Sequence, residues 1–163
     1  MSFKTEKEMS KIFKKFYKDE FKSSNVDYIE ECKGLFGIPD GLLVEKEKNE
    51  LKNIVAIELK LKNWKRALIQ AFKYKSFANN SIVVIDANYM HRALKNIDEF
   101  KRYKIGLASF SKDKDFVIHY LPETTSPFSA SYQAVIVNNI KRRRNKSNNK
   151  FNLETKLNQL AIA

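Results

Sequence analysis

The feature that most constrains this chain is a strand-like run at 53–61. Period-two alternation there sends Val55, Ile57, Leu59 and Leu61 to one face and Ile54, Ala56, Glu58 and Lys60 to the other. A face that begins apolar and then takes up a glutamate and a lysine needs a reason beyond solubility, because charge against an apolar layer is costly. The competing reading is a same-face charge pair on an exposed strand. Downstream, Trp64, Ala67, Leu68, Ala71 and Ala78 form one helical stripe across 63–78, with Asn63 as N-cap. Residues 81–86 are a continuous apolar run, as in a strand covered on both faces. Strand, helix and strand in that order predict a βαβ unit with a right-handed crossover, and hence an α/β fold.

Upstream, Asp40 opens a second strand-like run, 41–44, and the polar insert 45–50 has hairpin-loop composition. Antiparallel pairing of the two runs brings Asp40 alongside Glu58. Two converging carboxylates repel unless a cation lies between them, and hard oxygen ligands suit Mg²⁺ or Mn²⁺. Lys60 adds a fixed positive charge. Pro39 lacks an N–H and belongs at a strand start or bulge, which fits a bend presenting Asp40. The alternative for Asp40 is a turn aspartate before Gly41. Arg66, Gln70 and Tyr74 form a ridge at four-residue spacing beside the strand that carries Lys60. Otherwise Gln70 is a solvated helix residue and Tyr74 a core aromatic with its hydroxyl at the surface. Trp64 reads as packing rather than base stacking.

The remaining elements surround this unit. Met9, Ile12, Phe13, Phe16, Tyr17 and Phe21 recur at helical steps over 5–21, and Thr5 with Glu8 has capping-box spacing. Glu6 lies on the side of Met9 and Phe13, or is an ordinary first-turn glutamate favoured by the helix dipole. Residues 26–32 read as a first strand leading to a Gly-containing turn at 33–37; alternation lets only one of Glu30 and Glu31 face the acidic pair, and the default reading for both is solvent exposure. A helical pattern covers 89–103, and 105–110 with 116–121 read as a final hairpin. His91 and His119 are far in sequence from Asp40 and Glu58 and read as surface or partly packed. After a Pro/Ser/Thr loop at 122–131, residues 132–140 read as an extra helix or strand. The basic tract 141–150 is either a solvated charge run or an arm on phosphates, and 151–162 is a helical segment that could cap the fold or pair with another chain.

In 163 residues, 31 Lys and Arg against 19 Asp and Glu leave a net charge of +12, which favours a polyanionic partner. One ordinary core fits this length. Cys32 is the sole cysteine, so neither a disulfide framework nor a cysteine zinc cluster is available. No apolar run reaches bilayer length and the first residues lack a signal-peptide core, so a soluble, intracellular (cytoplasmic) protein with no membrane partner is expected.

Pro39-Asp40, followed after a spacer by Glu58-Leu59-Lys60 at the end of an apolar strand, resembles the motif of the PD-(D/E)XK nuclease superfamily. Gln70-Ala71-Phe72-Lys73-Tyr74 resembles the Q-hydrophobic-x-x-Y element of its RecB-like members. The resemblance covers 5–121. It implies a restriction-endonuclease-like αβββαβ core with a mixed central sheet flanked by helices over 1–121; beyond it, the composition of 122–163 reads as a basic extension that could be a DNA-binding arm or an oligomerisation segment. It further implies a metal-dependent DNA endonuclease using Mg²⁺, with Mn²⁺ able to substitute. Asp40, Glu58 and the Leu59 main-chain carbonyl would hold the metal and Lys60 would hold or deprotonate the attacking water. Glu6 would assist, and Gln70 and Tyr74, with Arg66 beside them, would orient nucleic acid or the site lysine. Lys62, Lys141, Arg142, Arg143 and Arg144 would contact DNA, and a homodimer or higher homo-oligomer would serve both strands. The rivals are a catalytically inactive DNA-binding protein of the same fold and an RNA-associated basic domain. Restriction, homing, junction resolution, phage recombination and repair all use this chemistry, and the sequence does not choose among them.

Overall fold

In the computed structural model the described residues are 1–22, 25–30, 37–48, 50–141, 157–158 and 160–161. The alternating and apolar runs become six strands of one sheet: β1 (Val26–Glu30), β2 (Gly41–Glu47), β3 (Glu50–Lys60), β4 (Asn80–Asp86), β5 (Gly106–Phe110) and β6 (Phe116–Tyr120). They lie side by side in chain order. The first three form an antiparallel meander, β3, β4 and β5 run parallel, and β6 returns antiparallel. The helices are α1 (Glu6–Glu20), α2 (Trp64–Tyr74), α3 (Met90–Leu94), α4 (Ile97–Tyr103) and α5 (Ala130–Lys141). The parallel neighbours need crossovers. Helix α2 makes the first, and a 3₁₀ turn at Ala87–Tyr89 with α3 and α4 makes the second. The chain is therefore a mixed α/β protein with a six-stranded mixed sheet flanked by helices.

Alternation along β3 decides which core each residue joins. Val55, Ile57 and Leu59 lie with Ile82, Val84, Phe110 and Phe116 beneath Met9, Phe13, Phe16 and Tyr17 of α1. Phe13 is the hub, 4.6 Å from the Tyr17 ring and edge-on to Phe110 at 5.0 Å. Such ring pairs add about 0.5–1.5 kcal/mol each beyond area burial. On the opposite face, Ile54 and Ala56 pack with Leu42, Val44, Tyr74 and Phe77 against Ile136 and Ile140 of α5. Farther along that face, Val83, Ile85 and Leu107 meet Ala67, Leu68 and Ala71 of α2 and Phe100 of α4.

Several boundaries differ from the pattern reading. The insert 45–50 is mostly strand, with a register shift between Glu45 and Lys46 and a turn at Lys48, which has φ 49°. Cross-strand polar pairs replace apolar alternation there: Asn53 Nδ2 donates to Glu45 Oε2 at 2.7 Å, and Lys52 and Glu47 pair at 3.1 Å. The pattern over 89–103 is two short helices, because Asn96 folds its amide back onto the Arg92 carbonyl at 2.9 Å and interrupts the ladder. Helix α2 stops at Tyr74, whose carbonyl accepts from both Phe77 and Ala78 in a closing turn.

The segment expected to be an extension from 122 onward packs on the same body through residue 141. Phe128 N–H and Ser129 N–H donate to the carbonyls of Lys75 and Ser76 at 2.9 Å each, and Ser129 Oγ accepts from Tyr132 N–H at the start of α5. Near the C-terminus, Leu157 is buried in the α1-side core and Ala161 bridges Ile118. Most of the basic tract, including Arg142, Arg143 and Arg144, lies outside the described residues. No helix among the described residues is long and apolar enough to cross a membrane.

Of the described glycines, Gly41 leaves the least room for a side chain. A Cβ there would lie 2.3 Å from the Tyr28 hydroxyl and 2.4 Å from the ring carbon bearing it. The Tyr28 ring is stacked 5.9 Å from Tyr17 and cannot swing away without opening the aromatic core. Gly41→Ala is expected to cost about 1–3 kcal/mol. A lowered urea midpoint with an unchanged m-value would report it, and an unchanged midpoint would show that the ring yields freely.

Candidate active site

The β2–β3 register fixes the centre of the site. Gly41 is opposite Ile57, so the residue before it, Asp40, comes level with Glu58. Strand β2 starts at Gly41, and the Leu59 N–H beyond that point is taken by Asp40 Oδ2 at 2.7 Å. The carboxylate thus replaces a missing strand partner and is held in one place. Since the N–H and C=O of a strand residue point toward the same neighbour, the Leu59 carbonyl is carried on the Asp40 side.

Glu58 is only 2% exposed. Its Oε2 accepts from the Tyr74 hydroxyl at 2.9 Å and its Oε1 lies 3.4 Å from Lys60 Nζ. The same phenolic O–H reaches the Ile38 carbonyl at 3.2 Å, so Tyr74 ties Glu58 to the segment leading into Asp40. Lys60 extends beyond Glu58 to Glu6 Oε2 at 3.3 Å, in the first turn of α1.

Burial, and then the charge of Asp40, push the Glu58 carboxyl up to about 7, against the opposing pull of the Tyr74 hydroxyl and the Lys60 ammonium. For Lys60, burial alone would favour the neutral amine, but Glu58 and Glu6 outweigh it and the ammonium is held more firmly than usual. Burial, then the adjacent Glu58 charge, keeps the Tyr74 phenol protonated well above its ordinary range.

The other residues singled out from sequence divide. Arg66 is exposed and Gln70 half-buried. Together with Gly37, Asn63, Lys65, Ile69, Lys73 and Tyr74 they line a groove of about 530 Å³ beside α2. Three of these residues are cationic and none is acidic. Among the described residues the buried Oε1 of Gln70 finds no hydrogen-bond partner. Glu6 reaches the centre only through Lys60. Ile29 joins the α2-side core, so alternation turns Glu30 to the α1 side, away from Glu58, where it pairs with Lys14. Glu31 lies outside the described residues. Lys62 is exposed with Nζ 4.6 Å from the Tyr89 ring centre, and Lys141 ends α5 in solvent. Trp64 packs 5.9 Å from Phe100. His119 bonds Ser109 on the far edge of the sheet, and His91 is exposed.

Two contacts were missed in the sequence reading: the hydroxyl of Tyr74 goes to Glu58, not to the lysine, and Leu59 meets Asp40 through its N–H. The first had a signal, since Ala67, Ala71 and Tyr74 continue one buried stripe at steps of four and three.

Among the described residues no three His, Cys, Asp or Glu side chains come together as a metal cluster. The available donors are two carboxylates, Asp40 and Glu58, with one strand carbonyl. That set fits Mg²⁺, which keeps several waters and takes one or two carboxylates plus substrate phosphate oxygens. The raised Glu58 value, caused in part by Asp40, reports a negative potential that a cation would relieve.

No family model matches the chain, and the comparison with curated proteins gives no match. Among solved structures, the chain is similar in fold to a protein of unknown function from Silicibacter pomeroyi, with a TM-score of 0.52 and 13% identity over 72% of this chain and 73% of that one.

The folded Glu58 value lies above its ordinary 4.5, so the native state holds a proton that the unfolded chain releases. Stability from this group is therefore lost as pH rises from about 4.5 through about 7. In divalent-free buffer, Glu58→Gln should melt roughly 5 °C above the parent at pH 8, with the gap closing toward pH 4.5. A gap independent of pH would disprove the buried, strained carboxylate.

Proposed function

We propose that this chain is a metal-dependent DNA endonuclease with a restriction-endonuclease-like core, as its resemblance to the PD-(D/E)XK superfamily implies. The observation that carries the reading is the convergence of Asp40, Glu58 and Lys60 at the end of β3, beside a groove lined by Lys65, Arg66 and Lys73. Asp40, Glu58 and the Leu59 carbonyl would hold Mg²⁺, which when bound polarises a phosphoryl oxygen and makes a water more acidic.

The chain's own residues divide the remaining work. Asp40 is oriented by the Leu59 N–H, and Glu58 by Tyr74, so neither carboxylate has to be ordered when substrate arrives. Lys60 acts as a fixed positive charge facing the negative charge that develops on the phosphoryl oxygens. Its two acidic neighbours favour the ammonium, which supports the electrostatic role over that of general base. Lys65, Arg66 and Lys73 hold the phosphate backbone without reading sequence.

A second reading, DNA binding without cleavage, draws on one observation: the acidic centre is a pair with no third His, Cys, Asp or Glu among the described residues. Calorimetry separates the two. The endonuclease reading expects Mn²⁺ binding that Asp40→Ala abolishes and that tightens as pH rises toward 7, because the Glu58 proton competes with the cation. Absence of Mn²⁺ binding by the parent would favour the non-catalytic reading.

The direct test is incubation of supercoiled, linear, branched and single-stranded DNA with the protein in Mg²⁺. Cleavage of at least one form is expected, slowed by about 100-fold or more in Lys60→Ala, with DNA affinity at fixed salt nearly unchanged. Equal cutting by parent and variant would remove Lys60 from the mechanism.

A further inference from the structure

Helix α2 carries a second groove on its other flank. A space of about 630 Å³ between α2 and α4 is lined by Trp64, Leu68, Ile69, Phe72 and Tyr103, with Lys65 and Lys73 on its rim. Around it Ile69 is 59% exposed, Phe72 39%, Tyr103 38% and Phe128 60%. Phe72 stands edge-on to Tyr103 at 5.5 Å and lies 5.6 Å from Phe128. Large exposed rings gathered from three separate segments mark a binding surface rather than scattered surface hydrophobics.

The charges beside the rings indicate what binds. Lys75 Nζ lies 5.1 Å from the Phe128 ring centre, and the Arg102 guanidinium 5.5 Å from that of Tyr103. Lys75 is itself buried, and burial, then the charge of Lys104, disfavour its ammonium. The groove itself is lined by two cations, Lys65 and Lys73, and one carboxylate, Glu99. Protein-binding cores are depleted in lysine, whereas aromatic faces interleaved with cations suit unpaired bases joined by phosphates. In an uninterrupted duplex the base faces are stacked on one another and unavailable to such rings.

Lys65, Ile69 and Lys73 line both grooves, so the two are joined over the crest of α2. We propose that the Phe72–Tyr103–Phe128 surface binds an unpaired DNA strand, its bases stacked on the rings and its phosphates on Lys65, Lys73 and Arg102. The assigned substrate class is then DNA with a single-stranded segment next to the scissile bond, such as a flap or fork. That last step rests on the endonuclease reading, whereas strand binding itself does not.

The test is fluorescence anisotropy with the full chain in EDTA, using labelled oligo(dT) of about 20 nucleotides, a blunt duplex of the same length and oligo(U). Phe72→Ala, Tyr103→Ala and Phe128→Ser should each weaken oligo(dT) binding by about tenfold, while duplex affinity changes less than about twofold and Phe72→Trp retains binding. Phe128 is the most exposed of the three rings, so its variant stands in if another fails to fold. Equal loss on both DNA probes, or no loss on oligo(dT), overturns the proposal. So does tighter binding of oligo(U), or a dimer in sedimentation that the three substitutions dissolve. If the parent cleaves DNA in Mg²⁺ but oligo(dT) binding ignores the rings, the inference fails while the endonuclease stands. If the rings matter but no DNA is cut, the endonuclease fails while strand binding stands.

Discussion

Two carboxylates held level with each other, Asp40 just before β2 begins and Glu58 two residues before β3 ends, are the constraint on which the rest of the structure turns. Like charges so placed separate unless each is restrained. Here the restraints are a backbone N–H on Asp40, a buried phenol on Glu58 and an ammonium beside it. All three come from rigid elements, two from β3 itself and one from the helix that follows it. The cost shows as a carboxyl that resists ionisation below neutral pH. A core chosen for stability alone would place an apolar residue at position 58, in line with Ile54 and Ala56, so the retained glutamate argues for a chemical purpose.

The position of this pair in the sheet follows from the topology. Strands β3 and β4 are parallel neighbours, and the carboxyl ends of parallel strands are where α/β sheets present their sites. The start of the chain closes the same end: Phe3 N–H donates to the buried Asp86 at the end of β4, and Glu6 reaches Lys60 at the end of β3. Helix α1 lies over one face and α2 over the other; around the strand end Lys60 links Glu6 of α1 to Glu58, which in turn accepts from Tyr74 of α2. The aromatic core under α1 therefore supports the site indirectly, by fixing where Glu6 stands.

The fold was legible wherever a residue's neighbours in sequence decide its environment. Alternation sorted Val55, Ile57 and Leu59 from Ile54, Ala56 and Glu58, and the apolar run at 81–86 announced a strand covered on both faces. Legibility failed where side chains act on distant backbone. Charged residues at 45–50 look like a loop because their strand character comes from cross-strand partners such as Asn53 with Glu45. The break inside 89–103 depends on one asparagine amide turning back. In the site, the Asp40–Glu58 pairing followed from hairpin register, but the Tyr74 contact required knowing how closely α2 sits on the sheet. The patch of Phe72, Tyr103 and Phe128 has no sequence signature, since three elements assemble it.

The closeness of α2 is itself written in small residues. Ala67 and Ala71 are fully buried against Val83 and Ile85, and their short side chains let the helix axis approach the sheet. That approach allows the hydroxyl of Tyr74, on the same stripe, to reach Glu58. The helix period then sets the other sides: Arg66, Gln70 and Tyr74 flank the charged groove, Leu68 and Phe72 flank the aromatic one, and Lys65, Ile69 and Lys73 form the crest between. One three-turn helix thus orients an acidic centre through its buried edge and carries cations along its exposed edge. A polyanion lying across that crest meets Lys65 and Lys73 on it and Arg66 in the groove beside it.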